Sequence, residues 1–221
     1  MWLPDGQGLI VLARNGQNHT TIYRVDLARG EVVTLLDTGK AAPQLAALSP
    51  DGRTVYFSSR ATDVPYRNHL VAYDLASGRR ADVSHEGTSR GVAASPDGGS
   101  IAFVATEADT PPFRADLYVA DADGANVRTV LSSNTRGDSP VNVAWSADSR
   151  FIYFVRQGKG SLWRVAAAGG SPTPVGDLST DVVGTIDISA DGRRVTYGAG
   201  GPPTIEVWAL ENLLPKADAS K

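Results

Sequence analysis

The chain holds no cysteine in 221 residues and one methionine. Without thiols it can form no disulfide, present no thiolate to a metal and offer no cysteine nucleophile. Its three histidines, His19, His69 and His85, are scattered at loop or strand ends. No His-x-x-x-His spacing joins them, so they make no zinc motif, and each reads as a surface residue. No Gly-x-Ser-x-Gly elbow occurs: Gly158-Lys159-Gly160-Ser161-Leu162 and Gly169-Gly170-Ser171-Pro172-Thr173 both miss the pattern. A serine hydrolase active site is therefore not expected in this chain. No apolar run approaches the roughly 20 residues of a membrane helix, so no membrane span is expected. There is no basic excess either. Lys and Arg number 21 against 24 Asp and Glu, a formal net charge of −3, which argues against a general nucleic-acid binder. Met1-Trp2-Leu3-Pro4-Asp5-Gly6 carries no basic stretch ahead of an apolar one, so no secretory signal is expected here.

Helical periodicity is also nearly absent, and what stands in its place is punctuation. Gly (23) and Pro (13) fall between short apolar runs, as in a chain of many strands and tight turns. The clearest unit is Ser49-Pro50-Asp51-Gly52, between Leu45-Ala46-Ala47-Leu48 and Thr54-Val55-Tyr56-Phe57. Pro presets φ, Asp hydrogen-bonds its own backbone, and Gly takes a left-handed position without steric cost. Leu3-Pro4-Asp5-Gly6, Ser95-Pro96-Asp97-Gly98, Ser146-Ala147-Asp148-Ser149 and Ser189-Ala190-Asp191-Gly192 take the same role. Asp5, Asp51, Asp97, Asp148 and Asp191 follow one another at 46, 46, 51 and 43 residues. A strand-rich period in the mid-forties is the signature of a β-propeller, one blade per repeat.

A second recurring element confirms the period. Ile22-Tyr23-Arg24-Val25-Asp26-Leu27 matches Leu70-Val71-Ala72-Tyr73-Asp74-Leu75, then the stretches starting at Leu117, Leu162 and Ile205. One repeat thus reads strand A, the Asp-Gly turn, strand B, a variable loop, strand C, a Gly turn and strand D. The B strands, such as Ile101-Ala102-Phe103-Val104, are almost continuously apolar, as suits strands buried on both faces. The expected fold is all-β, a propeller of four-stranded antiparallel blades. About four and a half to five blades are present, with repeats near 1–42, 43–90, 91–140, 141–181 and 182–215 and a polar tail at 216–221. Three strands remain at each end, and three plus three do not make one blade. The expectation is a piece of a larger ring of six to eight blades. A small ring closed irregularly, or pairing between chains, is the alternative.

The Ser-Pro-Asp-Gly turn, the apolar-aromatic B strand Thr54-Val55-Tyr56-Phe57-Ser58-Ser59 and the C strand Leu70-Val71-Ala72-Tyr73-Asp74-Leu75 resemble the WD-like "PD" repeats of the TolB-type β-propeller superfamily. The resemblance covers nearly the whole chain. It departs where Ala147 and Ser149 replace Pro and Gly, and where Ala190 replaces Pro. The ending Ile205 to Pro215 is similar to the C-terminal end of large bacterial proteins, in which such a propeller follows a winged-helix or protein-kinase module and a membrane span. The resemblance implies a bacterial sensor or interaction domain acting in the periplasm or otherwise outside the cytoplasm. It specifies fold far better than function.

Two other motifs are weak. Asp121-Ala122-Asp123-Gly124-Ala125-Asn126 begins like a calcium loop, but the twelfth position is Ser132, not a carboxylate. Arg136-Gly137-Asp138 spells a common tripeptide. The functional expectation rests instead on the loops. In A-B-C-D order the B–C and D–A loops leave one face of the disc and the short A–B and C–D turns the other. Asp63, Tyr66 and Arg67 of the second repeat correspond to Asp109, Phe113 and Arg114 of the third, and the D–A loops add Lys40, Arg90 and Arg136. This mouth gathers cations and aromatics on an acidic chain, as recognition of a carboxylate-bearing peptide or small molecule would require. The simpler alternative pairs each Arg with its nearby Asp63, Asp109 or Asp138. The expected role is a non-catalytic scaffold for protein or peptide partners, with no cofactor and no metal. The alternative is the propeller of a prolyl-oligopeptidase-type serine peptidase or of a propeller lyase.

Overall fold

The computed structural model describes residues 1–39, 44–60, 68–84, 88–106, 115–133, 135–156, 160–178, 182–201 and 204–211. These hold five antiparallel sheets, each a meander of consecutive strands. The first comprises β1 (Gly8–Arg14), β2 (Thr20–Asp26) and β3 (Glu31–Asp37). The second comprises β4 (Gln44–Leu48), β5 (Thr54–Arg60), β6 (Asn68–Asp74) and β7 (Arg80–Ser84). The third comprises β8 (Thr88–Ala94), β9 (Ser100–Thr106), β10 (Ala115–Asp121) and β11 (Arg128–Leu131). A 3-10 turn, Arg136–Asp138, leads into the fourth: β12 (Pro140–Trp145), β13 (Phe151–Arg156), β14 (Ser161–Ala166) and β15 (Thr173–Asp177). The fifth comprises β16 (Val182–Ile188), β17 (Arg194–Gly201) and β18 (Thr204–Glu211).

This is the propeller layout that the repeat implies, with three complete blades and a three-stranded sheet at each end. In the first sheet Met1 and Trp2 supply what there is of strand A. Trp2 bridges Leu9, and the Ile10 N–H donates to the Met1 carbonyl at 2.8 Å. The A strands β4, β8, β12 and β16 pack against one another in turn at the centre. The third sheet starts at Thr88, ahead of Gly91, because a bulge between Thr88 and Val92 lets the strand run on past the irregularity.

Bulges recur at equivalent places in the blades. The C–D pairing shifts register after Ile22, Leu70, Leu117 and Leu162. These are the residues that open each C-strand repeat, and all are fully buried. A bulge sharpens the local right-handed twist, which suits blades that must be strongly twisted to stack around an axis.

The core lies in four seams between neighbouring sheets. Leu3, Ile10, Ile22, Val55, Phe57 and Val71 fill the first. Tyr56, Leu70, Ile101 and Phe103 anchor the second, Val104, Leu117, Ile152 and Phe154 the third, and Tyr153, Val155, Leu162 and Val195 the fourth. Alternate residues of one B strand therefore serve two seams: Phe154 faces the third blade and Tyr153 the fifth. Polar tips pin the seams. Tyr56 Oη donates to the Ala122 carbonyl at 2.9 Å, Tyr73 Oη to the Leu35 carbonyl at 3.1 Å and Trp145 Nε1 to the Ala93 carbonyl at 3.0 Å. Each reaches from one blade to the next, so an aromatic body is buried while its donor stays satisfied.

Candidate functional site

The meander brings all A–B and C–D turns to one end of the strands and the B–C and D–A connections to the other. At the turn end the repeated motif is a small hydrogen-bonded unit. Ser49 Oγ donates to Asp51 Oδ1 at 2.6 Å and accepts from the Thr54 N–H at 2.8 Å, while Asp51 Oδ1 also accepts from the Arg53 N–H at 3.0 Å. Ser95–Asp97, Ser146–Asp148 and Ser189–Asp191 repeat the unit. The serine hydroxyl, followed by backbone N–H groups, holds Asp51, Asp97 and Asp191 below the ordinary carboxylate range; Asp148 is lowered chiefly by Ser146. These carboxylates are engaged in holding turns.

The fourth position of each turn is left-handed: Gly6, Gly52, Gly98, Ser149 and Gly192 have φ of 68°, 72°, 74°, 58° and 68°. Ser149 departs from Gly for a visible reason. Its Oγ accepts from the Asp97 N–H of the neighbouring blade at 3.1 Å, a contact that glycine cannot make. The partial calcium motif is likewise a turn. Asp123 Oδ1 accepts from the Ala125 N–H at 2.9 Å and Asp121 Oδ2 from Asn126 Nδ2 at 2.6 Å.

Among the described residues two grooves open at this end, opposite the B–C and D–A connections. One, of about 470 Å³ between the second and third blades, is walled by Asp51, Asp74, Asp97, Asp123 and Arg79 over Tyr56. Burial first, then the charges of Asp51 and Asp123, push the Tyr56 hydroxyl up to about 12. The other, of about 360 Å³ between the first and second blades, includes Arg24, Arg53, Asp5 and Asp51. Sequence reading missed both, since a groove between blades has no linear signal.

At the opposite end, Lys40, Asp63, Tyr66, Arg67, Asp109, Phe113 and Arg114 lie outside the described residues. Arg90 falls within β8, not in the loop before it, and Arg136 in the 3-10 turn beside Asp138. Next to that turn stands a residue the sequence did not single out. Arg156, the last residue of β13, lays its guanidinium on the Trp163 ring of β14, with Cζ 3.7 Å from the centroid. Its Nη1 is 3.7 Å from Asp138 Oδ1, and Asp138 Oδ2 accepts from the Thr135 hydroxyl at 2.9 Å. A buried network lies nearby. Ser133 N–H donates to Asp116 Oδ1 at 2.8 Å, Ser133 Oγ to the Ala115 carbonyl at 2.6 Å, and the Ala115 N–H to Ser139 Oγ at 3.0 Å. It ties the mouth end of β10 to the connection between the third and fourth blades. His19 stands 3.4 Å from Asp37, and His69 3.5 Å from Asp82. Among the described residues no group of three or more His, Asp or Glu could hold a metal ion, and no helix is long and apolar enough to cross a membrane.

Antiparallel blades whose A and B strands are joined by Asp-centred turns, with their core in the seams, define a β-propeller. Solved structures agree. TolB from Acinetobacter baumannii superposes with a TM-score of 0.75 at 16% identity, over 96% of this chain and 50% of that one. An oligogalacturonate lyase in complex with manganese superposes with a TM-score of 0.69 at 15% identity, over 96% of this chain and 61% of the lyase. No family model matches the chain. In sequence, an uncharacterized protein of Agrobacterium fabrum is 31% identical over 159 residues, covering 70% of this chain and 53% of that protein. Dipeptidyl-peptidase 5 of Arthroderma otae is 28% identical over 124 residues, covering 48% of this chain and 17% of the peptidase. The chain thus spans about half of one such relative and about a sixth of the other.

Proposed function

We infer that this propeller is a non-catalytic binding scaffold for a protein or peptide partner, the interaction or sensor region of a larger bacterial protein working outside the cytoplasm. The observation that carries this reading is the contrast between the two ends of the strands. At one end repeated carboxylates are tied into turns. The other receives all the long connections, and there the described residues include a stacked, partly paired arginine. Loops on a rigid scaffold are where recognition residues concentrate. The mouth residues Lys40, Tyr66, Arg67, Arg90, Phe113, Arg114 and Arg136, with Asp63 and Asp109, belong to this proposal. A partner presenting acidic groups suits them. The test is a binding screen of acidic peptides against the parent chain and against Arg67→Ala with Arg114→Ala. Loss of binding in a double variant that keeps its melting temperature is the expected result. Unchanged affinity removes the mouth from consideration.

A second reading has its own support, the alignment with Dipeptidyl-peptidase 5 and the structural likeness to a lyase. In it the chain is the propeller part of an enzyme whose catalytic groups lie elsewhere. The reading frame on either side of this segment separates the two. A hydrolase module with a Gly-x-Ser-x-Gly elbow supports the enzyme, and a kinase or winged-helix module supports the scaffold.

A further inference from the structure

We propose that Arg156, stacked on Trp163 at the mouth end of the seam between the third and fourth blades, is the seat of a carboxylate ligand, and that Asp138 holds that seat until the ligand arrives. The proposal deepens the mouth reading above and rests on it for its choice of ligand class.

The side chain is 18% exposed, and of the guanidinium nitrogens it is Nε that is buried. None of its N–H groups donates a hydrogen bond to a described residue. Nε is buried with no partner, and the one ionic neighbour among the described residues, Asp138 Oδ1, stands at 3.7 Å. That distance is well beyond the roughly 2.7–2.9 Å of a charge-assisted hydrogen bond. The charge is therefore balanced while the donors stay unused. Leaving the buried Nε unused is costly, and a structural ion pair normally closes to hydrogen-bond contact. Trp163 fixes the plane of the fork by stacking from below, and is itself fixed by its Nε1 donating to Ser161 Oγ at 2.9 Å. The result is a planar, pre-oriented cation of the kind that takes a carboxylate in two parallel hydrogen bonds.

Asp138 explains how the seat stays neutral when empty. It sits on the three-residue 3-10 turn and is braced by Thr135. An entering carboxylate competes with Asp138 for Nη1 and gains the hydrogen bonds that Asp138 does not make to the guanidinium. Removing the Asp138 charge should then strengthen binding. If Asp138 and Arg156 merely tie two blades together, the same change should bring no gain in affinity.

The experiment uses the full chain, labelled with nitrogen-15, titrated with succinate and in parallel with succinamide, which has the same shape without the charge. Arginine Nε–H and tryptophan Nε1–H resonances are followed, with melting temperatures measured for every variant. Expected are a saturable shift of the Arg156 and Trp163 signals with succinate and none with succinamide. Arg156→Gln should lose the response, and Arg156→Lys should weaken it by about tenfold or more for want of the planar fork. Asp138→Asn should bind succinate several-fold more tightly. Absence of any succinate shift in the parent overturns the proposal, as does unchanged affinity in Asp138→Asn, a variant that keeps the test open if Arg156→Gln fails to fold. Acidic peptides that bind the parent and Arg156→Gln alike overturn the seat and leave the mouth reading intact. Succinate binding at Arg156 with no acidic peptide bound anywhere does the opposite.

Discussion

The left-handed glycines of the turns separate two effects that usually travel together. At Gly98, φ is +74° and an added Cβ would meet nothing within 4 Å; at Gly52, φ is +72° and the Cβ would come within 2.9 Å of Pro4 Cδ. Gly98→Ala thus isolates the backbone penalty, about 1–2 kcal/mol, and Gly52→Ala adds a clash across the first seam. Chemical denaturation should rank parent, Gly98→Ala and Gly52→Ala in falling stability; equal losses at the two sites contradict the packing of Pro4 on Gly52. The serine of the same turn has a pH signature. Asp97 is held below its unfolded value chiefly by Ser95. Its contribution is whole above the unfolded carboxylate pKa of about 3.9 and is lost as pH falls through the lower folded value. Asp97 lies largely at the surface, so solvent screening keeps the effect small. Ser95→Ala should lower the melting temperature at neutral pH, and the gap to the parent should narrow as pH falls below the unfolded carboxylate value of about 3.9.

Single elements show where sequence reading succeeds and where it stops. The Ser-x-Asp-Gly turns were legible because their whole mechanism is local: a hydroxyl, a carboxylate and a left-handed residue within six positions. Register was not. The Ile or Leu that opens each C strand marked the repeat, yet nothing in the string says that pairing slips just after it. That slip decides which residues meet. Arg156 lies one position beyond the Val155–Leu162 pair and reaches Trp163 diagonally across the regular β13–β14 ladder, a contact that no linear spacing announces. The seat at Arg156 was not legible for this reason. Seam pins are also invisible in sequence and carry a testable consequence. Tyr56, with its hydroxyl pushed up to about 12, should remain protonated after ordinary tyrosines ionise near 10. Because its folded value is raised, its contribution is whole below about pH 10 and falls as pH rises toward the folded value. Ultraviolet titration of the seven tyrosines should show a late component that Tyr56→Phe abolishes, with a stability loss of about 1 kcal/mol at neutral pH.

For the molecule as a whole, the distribution of exposed apolar side chains is uneven. Met1, Trp2, Leu27, Val32 and Val33 of the first blade account for most of the large exposed hydrophobics among the described residues, with Trp2 at 65% and Val32 at 62% exposure. Exposed apolar side chains gathered on one blade favour self-contact, and β3 is in addition a sheet edge. The isolated chain is expected to self-associate as its concentration rises. Light scattering should show Trp2→Lys with Val33→Lys shifting that association to higher concentration. A parent that stays monomeric throughout contradicts the expectation.

Because every sheet is a run of consecutive strands, the order in which the molecule can be made is written into its topology. A blade such as β4 to β7 has all its pairing partners as soon as its own stretch of chain has left the ribosome, with no need to wait for a distant segment. What must wait is the seam. Phe154 and Tyr153, neighbours in one strand, find their surroundings at different times during synthesis, the first against a blade already present and the second against one still to come. Until that next blade emerges, the newest one holds an apolar face to the solvent. The nascent propeller therefore carries its vulnerable surface always at its growing end, and a pause in translation just after β15 would leave Tyr153, Val155 and Leu162 open to whatever chaperone stands at the tunnel exit.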